Sequence, residues 1–310
     1  MNQTQLEQLI HPNHIFNDIQ ETIDNELHEH VMKAVKGLRK WLDIEEWDAK
    51  NKRKAYIKSL DLYNLVLELF TSISMHCQKE MPFISVACMY SIPGMDKLNS
   101  IKTVGEIIAT LEPVGFYEIV KYPSGTRTIQ SLLSLNKGLQ NRLDLYCYLP
   151  PMVEKPDVLE HNKSSGYKTI NSDSLILGYK ENHHDKWISL DVLNTLNRQQ
   201  YELDMDFISR YHKPFDELNP DELLEKATEK EMSLDEYTEI YQQQLANHHQ
   251  WLEQFEVLNK HLANKPIYFT HKVDKRGRIY SQGYHYNTQS DSYGKACISL
   301  RKKELITGEL

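Results

Sequence analysis

The sequence has little with which to build a disulfide framework or a zinc centre. Its four cysteines (Cys77, Cys88, Cys147 and Cys297) lie far apart, with no Cys-x-x-Cys pair. That excludes a cysteine-stapled secreted scaffold and fits reduced, mostly structural thiols in a cytoplasmic compartment. Histidine is plentiful, at fourteen residues, but its clusters have the wrong spacing. His28-Glu29-His30, His183-His184 and His248-His249 are adjacent or alternating rather than i, i+4 pairs, and no carboxylate and cysteine set completes them. No protein-held zinc is expected. No apolar run approaches the roughly 18 to 20 residues that span a bilayer. The opening Met1-Asn2-Gln3-Thr4-Gln5-Leu6 lacks the basic head and apolar core of a secretory signal. Internal repeats and low-complexity tracts are also missing. What is present is ordinary for a soluble globular chain: 310 residues, 40% hydrophobic and 26% charged, enough to bury a core in one large domain or two.

The net charge of −8 argues mildly against a nucleic-acid binder, but the charge is unevenly spread. Lys265 to Lys303 holds nine basic residues against two acidic ones, a local +7. Lys213 to Ile240 holds ten acidic residues against three lysines, a local −7. Such an arrangement keeps the total low while the basic part still attracts a polyanion. The alternative is two solvated faces without a partner.

Periodicity predicts a mainly α chain with a minor β component, an α+β fold. Apolar residues recur at helical spacing from Ile19 to Trp47, and more densely from Ala55 to Cys77. Pro82 to Met89 fits either a helix or a short strand, and Thr103 to Leu111 a short helix. Phe116 to Tyr122 and Thr126 to Ile129, around Pro123-Ser124-Gly125, predict a β-hairpin. A short helix is expected over Lys137 to Leu143. Leu149 to Pro156 reads as an extended connector, because its prolines cannot sit inside a helix. A short strand is expected at Leu175 to Leu177, and helix again from Ile188 to Ile208. Asn219-Pro220-Asp221-Glu222 and Ser233-Leu234-Asp235-Glu236 mark two helix starts. The second opens a run without proline or glycine to about Ala263, a rod near 45 Å long at about 1.5 Å per residue. It pairs naturally with the preceding helices as an antiparallel arm.

The most specific motif comes late, in Asp274-Lys275-Arg276-Gly277-Arg278, reached from the apolar Ile267-Tyr268-Phe269 and followed by Ile279-Tyr280. A glycine between two arginines permits a tight turn or the close approach of a phosphate. Guanidinium groups are shaped to grip phosphate oxygens in pairs.

This pattern resembles the Asp/Thr-x-x-Gly-Arg motif of the single-subunit RNA polymerases of phages and mitochondria. The likeness extends outward. Phe255 to Phe269 resembles that family's last thumb helix and first palm strand, and Asn287 to Asp291 with Gly294 to Leu300 resembles the segment after the motif. Leu193-Asn194 with Tyr201 to Asp204 resembles the thumb base, with Tyr201 where the family has tryptophan and Asp204 where it has asparagine. Leu149 to Pro156 and Gly166-Tyr167 resemble its proline-rich run and glycine-tyrosine pair. The resemblance covers roughly Thr103 to Leu310. It implies a helical N-terminal domain (1–200, with the hairpin), a helical thumb arm (201–264) and the first strands of a palm (265–310) completed by a partner chain.

It also implies roles. Arg276 and Arg278 would contact template DNA or the RNA–DNA hybrid, and Gly277 would permit the turn. Asp274 would orient an arginine or cap the local backbone. Tyr280 would stack near the template base, and Lys295 would add a hybrid-phosphate contact. Tyr122, Pro123 and Arg127 occupy the place of an intercalating hairpin that wedges DNA open. In the family two aspartates holding two Mg2+ ions, and a fingers helix, lie beyond the motif. No catalytic residue is therefore expected in this chain. The implied protein resembles the small subunit of the split, heterodimeric RNA polymerase of schitovirus-type phages, at work in the cytoplasm of an infected bacterium. A second subunit would bring the metals and use nucleoside triphosphates, and a single-strand-binding or recruiting protein would assist at promoters. Two alternatives stand beside it: a non-catalytic single-strand-binding or regulatory protein retaining a polymerase-like fragment, and a piece of a longer polymerase.

Overall fold

The computed structural model describes residues 1–76, 81–90, 92–122, 125–146, 148–172, 174–178 and 188–303. Cys77, Cys147 and the His183-His184 pair lie outside them. The chain is mainly α-helical with a minor β component. Its packing separates two units, Ile10–Asp144 and the combination of Met1–Leu9 with Leu145–Leu310.

The first helix, α1 (Gln3–Ile10), buries polar side chains as well as Leu6 and Ile10. Gln3 and Glu7 are both fully buried. Gln3 Nε2 donates to Glu7 at 2.7 Å, and Gln3 Oε1 accepts from the Val153 N–H at 2.8 Å. The Glu7 carboxylate also accepts from the N–H groups of Lys168 (2.9 Å) and Thr169 (2.5 Å) and from the Thr169 hydroxyl (2.6 Å). A buried carboxylate is tolerable only when its lone pairs are occupied in this way. The cluster ties α1 to the 150–170 connector.

The unit 10–144 runs α2 (Pro12–Glu26), α3 (His28–Asp43), α4 (Asp48–Lys58), α5 (Leu62–His76), β1 (Met81–Pro82), α6 (Phe83–Met89), α7 (Lys97–Leu111), β2 (Tyr117–Lys121), β3 (Arg127–Ser131) and α8 (Lys137–Leu145). The helical stretch expected from Ile19 to Trp47 is broken at Leu27, where φ is −124°. The spacing Ile23, Leu27, Val31 runs straight through the break, so periodicity does not reveal it. Leu27 itself stays bonded across the break: its N–H still reaches Ile23 O at 2.9 Å, and its carbonyl accepts from His30 and Val31. The stretch from Ala55 is likewise two helices, because Asp61 accepts from the N–H groups of Tyr63 and Asn64 (3.0 and 3.2 Å) and caps α5. Pro82 to Met89 turns out to be both alternatives, with Met81–Pro82 pairing Ile129 and Thr128 before α6 begins. The hairpin forms as expected, with Ile119 opposite Ile129 and Lys121 opposite Arg127. Ile19, Ile23, Leu38, Val66, Phe70, Ile107 and Leu111 supply the core. Phe70 stacks on Phe116 with centroids 4.1 Å apart and planes 6° apart.

The other unit continues with α9 (Leu190–Asn197), β4 (Tyr201–Leu203), α10 (Met205–Arg210), α11 (Pro220–Glu229), α12 (Leu234–Leu262), β5 (His271–Val273), β6 (Ile279–Ser281), α13 (Ser292–Ala296) and β7 (Ile298–Leu300). Both expected helix starts are present, each closed by a capping box, at Asn219 and Ser233, and α11 packs on α12 after a short connection. Helix α12 spans 29 residues, about 44 Å at 1.5 Å each. Its C-terminal half is seated on aromatic rings: Trp251 and Phe255 stack, and Phe255 meets Tyr286 at 4.9 Å. The helix expected from Ile188 to Ile208 is interrupted by β4. Tyr201 exchanges backbone bonds with Ile267 (2.9 and 2.8 Å), while 201–203 pair with β7. Two ladders outweigh a helical pattern of apolar residues.

Strand pairing converges on the extended run 267–274. Along one edge it bonds Tyr201 and, through Val273, Leu175 and Leu177; along the other it bonds Met152, Gln282 and β6. The run is therefore hydrogen-bonded within the chain on both edges, at Ile267 and Val273 on one and at Tyr268, Thr270 and β6 on the other. The outer edge of β6 is covered by side-chain amides. Gln289 accepts from the Ser281 N–H (2.9 Å) and donates to the Ile279 carbonyl (3.0 Å), and Asn287 donates to the carbonyls of Ser281 and Gly283. These amides imitate a neighbouring strand.

Candidate nucleic-acid interface

The Asp-x-x-Gly-Arg sequence is the turn joining β5 to β6. Asp274 and Arg278 close it, the Asp274 N–H donating to the Arg278 carbonyl at 2.9 Å. Gly277 N–H donates to the Asp274 carbonyl at 3.0 Å, and Gly277 has φ +80°. An L side chain adopts that conformation only at a cost. A Cβ at Gly277 would meet nothing within 4 Å, so conformation and not crowding within the chain calls for glycine.

The Asp274 carboxylate organises the turn. Oδ1 accepts from the N–H groups of Arg276 (2.9 Å) and Arg278 (3.0 Å). Oδ2 accepts from Nε of Arg278 (2.7 Å), Nε of Arg276 (3.3 Å) and the Tyr280 hydroxyl (3.3 Å). The motif spacing is thus physical: residues i+2 and i+4 are those whose N–H groups and guanidiniums a carboxylate at i reaches from inside the turn. Its side chain is 15% exposed, whereas those of Arg276 and Arg278 are 71% and 54% exposed. Burial pushes the Asp274 pKa up, but the Arg278 N–H, the Arg278 guanidinium and the Tyr280 hydroxyl outweigh it and hold the carboxyl below its ordinary value. The bond to Asp274 raises the pKa of Arg278. Exposed ion pairs add little to stability, so the consequence is geometric. Both guanidiniums are held by Nε to Asp274, and the Tyr280 hydroxyl is a second side-chain partner of Arg278. Arg278 also lies over the Tyr280 ring, 5.7 Å from its centroid.

The support beneath the turn is polar and buried. His271 is 6% exposed, and its Nδ1 lies 2.9 Å from Asn197 Oδ1 at the end of α9. Burial pushes its pKa down to about 4. Leu193 of α9 is fully buried. Asn194 grips the Leu159 backbone on both groups, accepting from its N–H at 2.8 Å and donating to its carbonyl at 3.0 Å. Sequence reasoning noted Leu193-Asn194 but gave the pair no task. It placed Asn287 to Asp291 after the motif without giving Asn287 or Gln289 a task, and gave His271 none; an amide-rich stretch directly after a strand was the available signal.

The other expected residues lie elsewhere. Lys295 is exposed on α13, which Asp291 caps by accepting from Gly294 N–H at 2.8 Å. No hydrogen bond or ion pair joins Lys295 to the 274–280 turn among the described residues. Tyr122 and Arg127 are exposed at the tip of the β2–β3 hairpin in the unit 10–144, and Pro123 is outside the described residues. Among the described residues no group of three or more His, Cys, Asp or Glu converges to hold a metal, and no helix is long and apolar enough to cross a membrane. The chain matches no protein-family model, and no curated protein matches it.

Proposed function

We propose that this chain is a nucleic-acid-binding subunit of a DNA-directed RNA polymerase, holding template DNA and the RNA–DNA hybrid through the turn 274–280. The observation that carries the reading is the Asp274 clamp: two exposed arginines held at Nε, beside a half-buried tyrosine, on a hairpin bonded along its length. Planar guanidiniums on side chains more than half exposed suit phosphate oxygens. Tyr280 offers a ring for a base, and Lys295 a further point charge. The two Mg2+ ions, the catalytic aspartates and the fingers would come from a partner subunit, which would use nucleoside triphosphates as in-line phosphoryl transfer requires. The setting would be a phage-infected bacterium.

The test is to tag the chain in cells that express it and identify what co-purifies. A partner carrying two palm-type aspartates, RNA synthesis only from the mixture with Mg2+, and about a tenfold loss with Arg278→Ala are expected. Removing a cation that neutralises a phosphate also reduces the number of counterions released on binding, so the variant should show a shallower salt slope. Primer extension by the isolated chain would overturn the reading.

One observation favours a second reading, a self-sufficient single-strand-binding protein. The run 267–274 is hydrogen-bonded on both edges without a partner. A monomer by sedimentation that melts cooperatively, binds single strands and recovers no polymerase chain from cells would favour it.

A further inference from the structure

A cavity of about 290 Å³ opens beside the arginine turn, walled by Ile176, Ile188, Val192, Val273 and Ile279. Ile176 and Val273 belong to a buried cluster with Leu159, Leu175 and Leu193, so its base is packed. Ile176 is fixed opposite Val273 by a parallel bridge. At the small end of the roughly 300–1,000 Å³ typical of small-molecule sites, the space is large enough for one planar ring system.

Three residues of the turn, Asp274, Lys275 and Gly277, also line this cavity. Arg276 and Arg278 project from the same turn with their side chains more than half exposed. A Cβ at Gly277 would meet only open space, so the chain leaves room against the turn backbone where a flat ring can rest. A base and its phosphate are joined through one sugar, and a slot and a guanidinium pair on one five-residue turn match that connectivity. Five of the nine lining residues are aliphatic, and Ser189 adds one hydroxyl beside the turn residues, so apolar contact with a flat ring dominates over paired hydrogen-bond readout.

We infer that the cavity receives one unstacked nucleobase of a single strand whose phosphate is held by Arg276 and Arg278. The inference rests on the reading of this turn as a nucleic-acid interface. A single strand suits it, since lifting a base out of its stack costs least where the base is already unpaired.

The experiment uses the full chain and two probes: a short single-stranded DNA carrying 2-aminopurine, and a strand of equal length with every base removed. Saturating the wild type should raise 2-aminopurine emission several-fold as the base leaves its neighbours. Val192→Trp, at a position 41% exposed, should fill the slot. It should abolish that rise and weaken the normal strand about three- to tenfold, with the abasic strand bound as before. Should the wild type bind the normal strand through Arg276 and Arg278 but give no emission change, the slot is not a base site while the interface reading stands. If it binds neither strand, both fail. The wild-type emission arm decides the matter even if Val192→Trp does not fold.

Discussion

Two hairpins in this protein close their turns with the same two backbone bonds but open them on different residues, Asp274 in one and Tyr122 in the other. Each has a glycine at positive φ, Gly277 at +80° and Gly125 at +84°, and an arginine where the chain returns, Arg278 before β6 and Arg127 at the start of β3. In the first, Asp274 binds two backbone N–H groups and two guanidiniums from inside the turn. In the second, Tyr122 N–H donates to the Thr126 carbonyl and Gly125 N–H to the Tyr122 carbonyl, and Arg127 faces Lys121, a like charge, across the strands. A carboxylate at the turn's origin converts its arginines from solvated charges into oriented donors.

The supports beneath the two hairpins differ as well, and acid should separate them. The β2–β3 hairpin rests chiefly on Phe70, Phe116 and Ile129, which carry no titratable group, with the Glu112 carboxylate accepting from the Ile119 N–H at 3.1 Å and no histidine beneath it among these supports. The β5–β6 hairpin rests on His271, and its flank on His285, which is 3% exposed and lies 2.8 Å from Gln254 Oε1. Burial, with a contribution from Lys213, pushes the His285 pKa down to about 3; His271 is at about 4, against an ordinary 6.5. Both folded values lie below the unfolded one, so an unfolded chain takes up more protons as pH falls. The stability these neutral rings contribute is complete above about pH 6.5 and drains as pH drops towards 4 and then 3. At about 1.4 kcal/mol per pH unit, each ring should cost about 2 kcal/mol between pH 7 and 5. Amide exchange, corrected for intrinsic rates, should show protection falling at 271–281 and holding at 117–131. Equal loss in both hairpins would remove this distinction.

How much was legible follows from range. The capping boxes at Asn219 and Ser233, the β2–β3 register and the Asp274 turn involve residues within a few positions of one another, and their spacing is written locally. The break at Leu27 was hidden because the apolar repeat passes through it. β4 was hidden because its partners lie far along the chain, at Ile267 and in β7. The supports of the candidate site are non-local too: Asn194 reaches Leu159, and Glu7 reaches Lys168 and Thr169. An asparagine or a buried glutamate carries no mark of a partner so distant, whereas an aspartate four residues before an arginine does.

Removing the carboxylate tests the comparison from the other side. If charge alone governs binding, Asp274→Ala should tighten single-stranded DNA, since it deletes a negative charge beside two cations. If orientation governs, it should weaken binding, because two N–H groups and two guanidiniums lose their anchor. The expected result is about a three- to tenfold rise in Kd, the order of one charge-assisted hydrogen bond, with fluorescence anisotropy as the measurement. Asp274→Asn should fall between, keeping an acceptor for the backbone while losing the ion pairs. Tighter binding by Asp274→Ala would mean the clamp is only a structural turn.

The smallest effect is expected at the other tip. Arg127 is exposed and no ion pair fixes it among the described residues. Its charge adds to a general field rather than to a defined contact, and at physiological salt such a field is screened within about 8 Å. Arg127→Ala should therefore change single-strand affinity less than twofold at 0.15 M salt, and somewhat more at 0.02 M. The defect of Arg278→Ala should also shrink with salt, but from a larger value, so a loss well above twofold remaining at 0.15 M distinguishes it from Arg127→Ala. A role for Tyr122 and Arg127 in wedging DNA open predicts a different pattern, with affinity unchanged and strand opening lost. Measuring 2-aminopurine emission in a partly melted duplex beside single-strand affinity separates the two, and a defect in opening alone would make the second hairpin a working part in its own right.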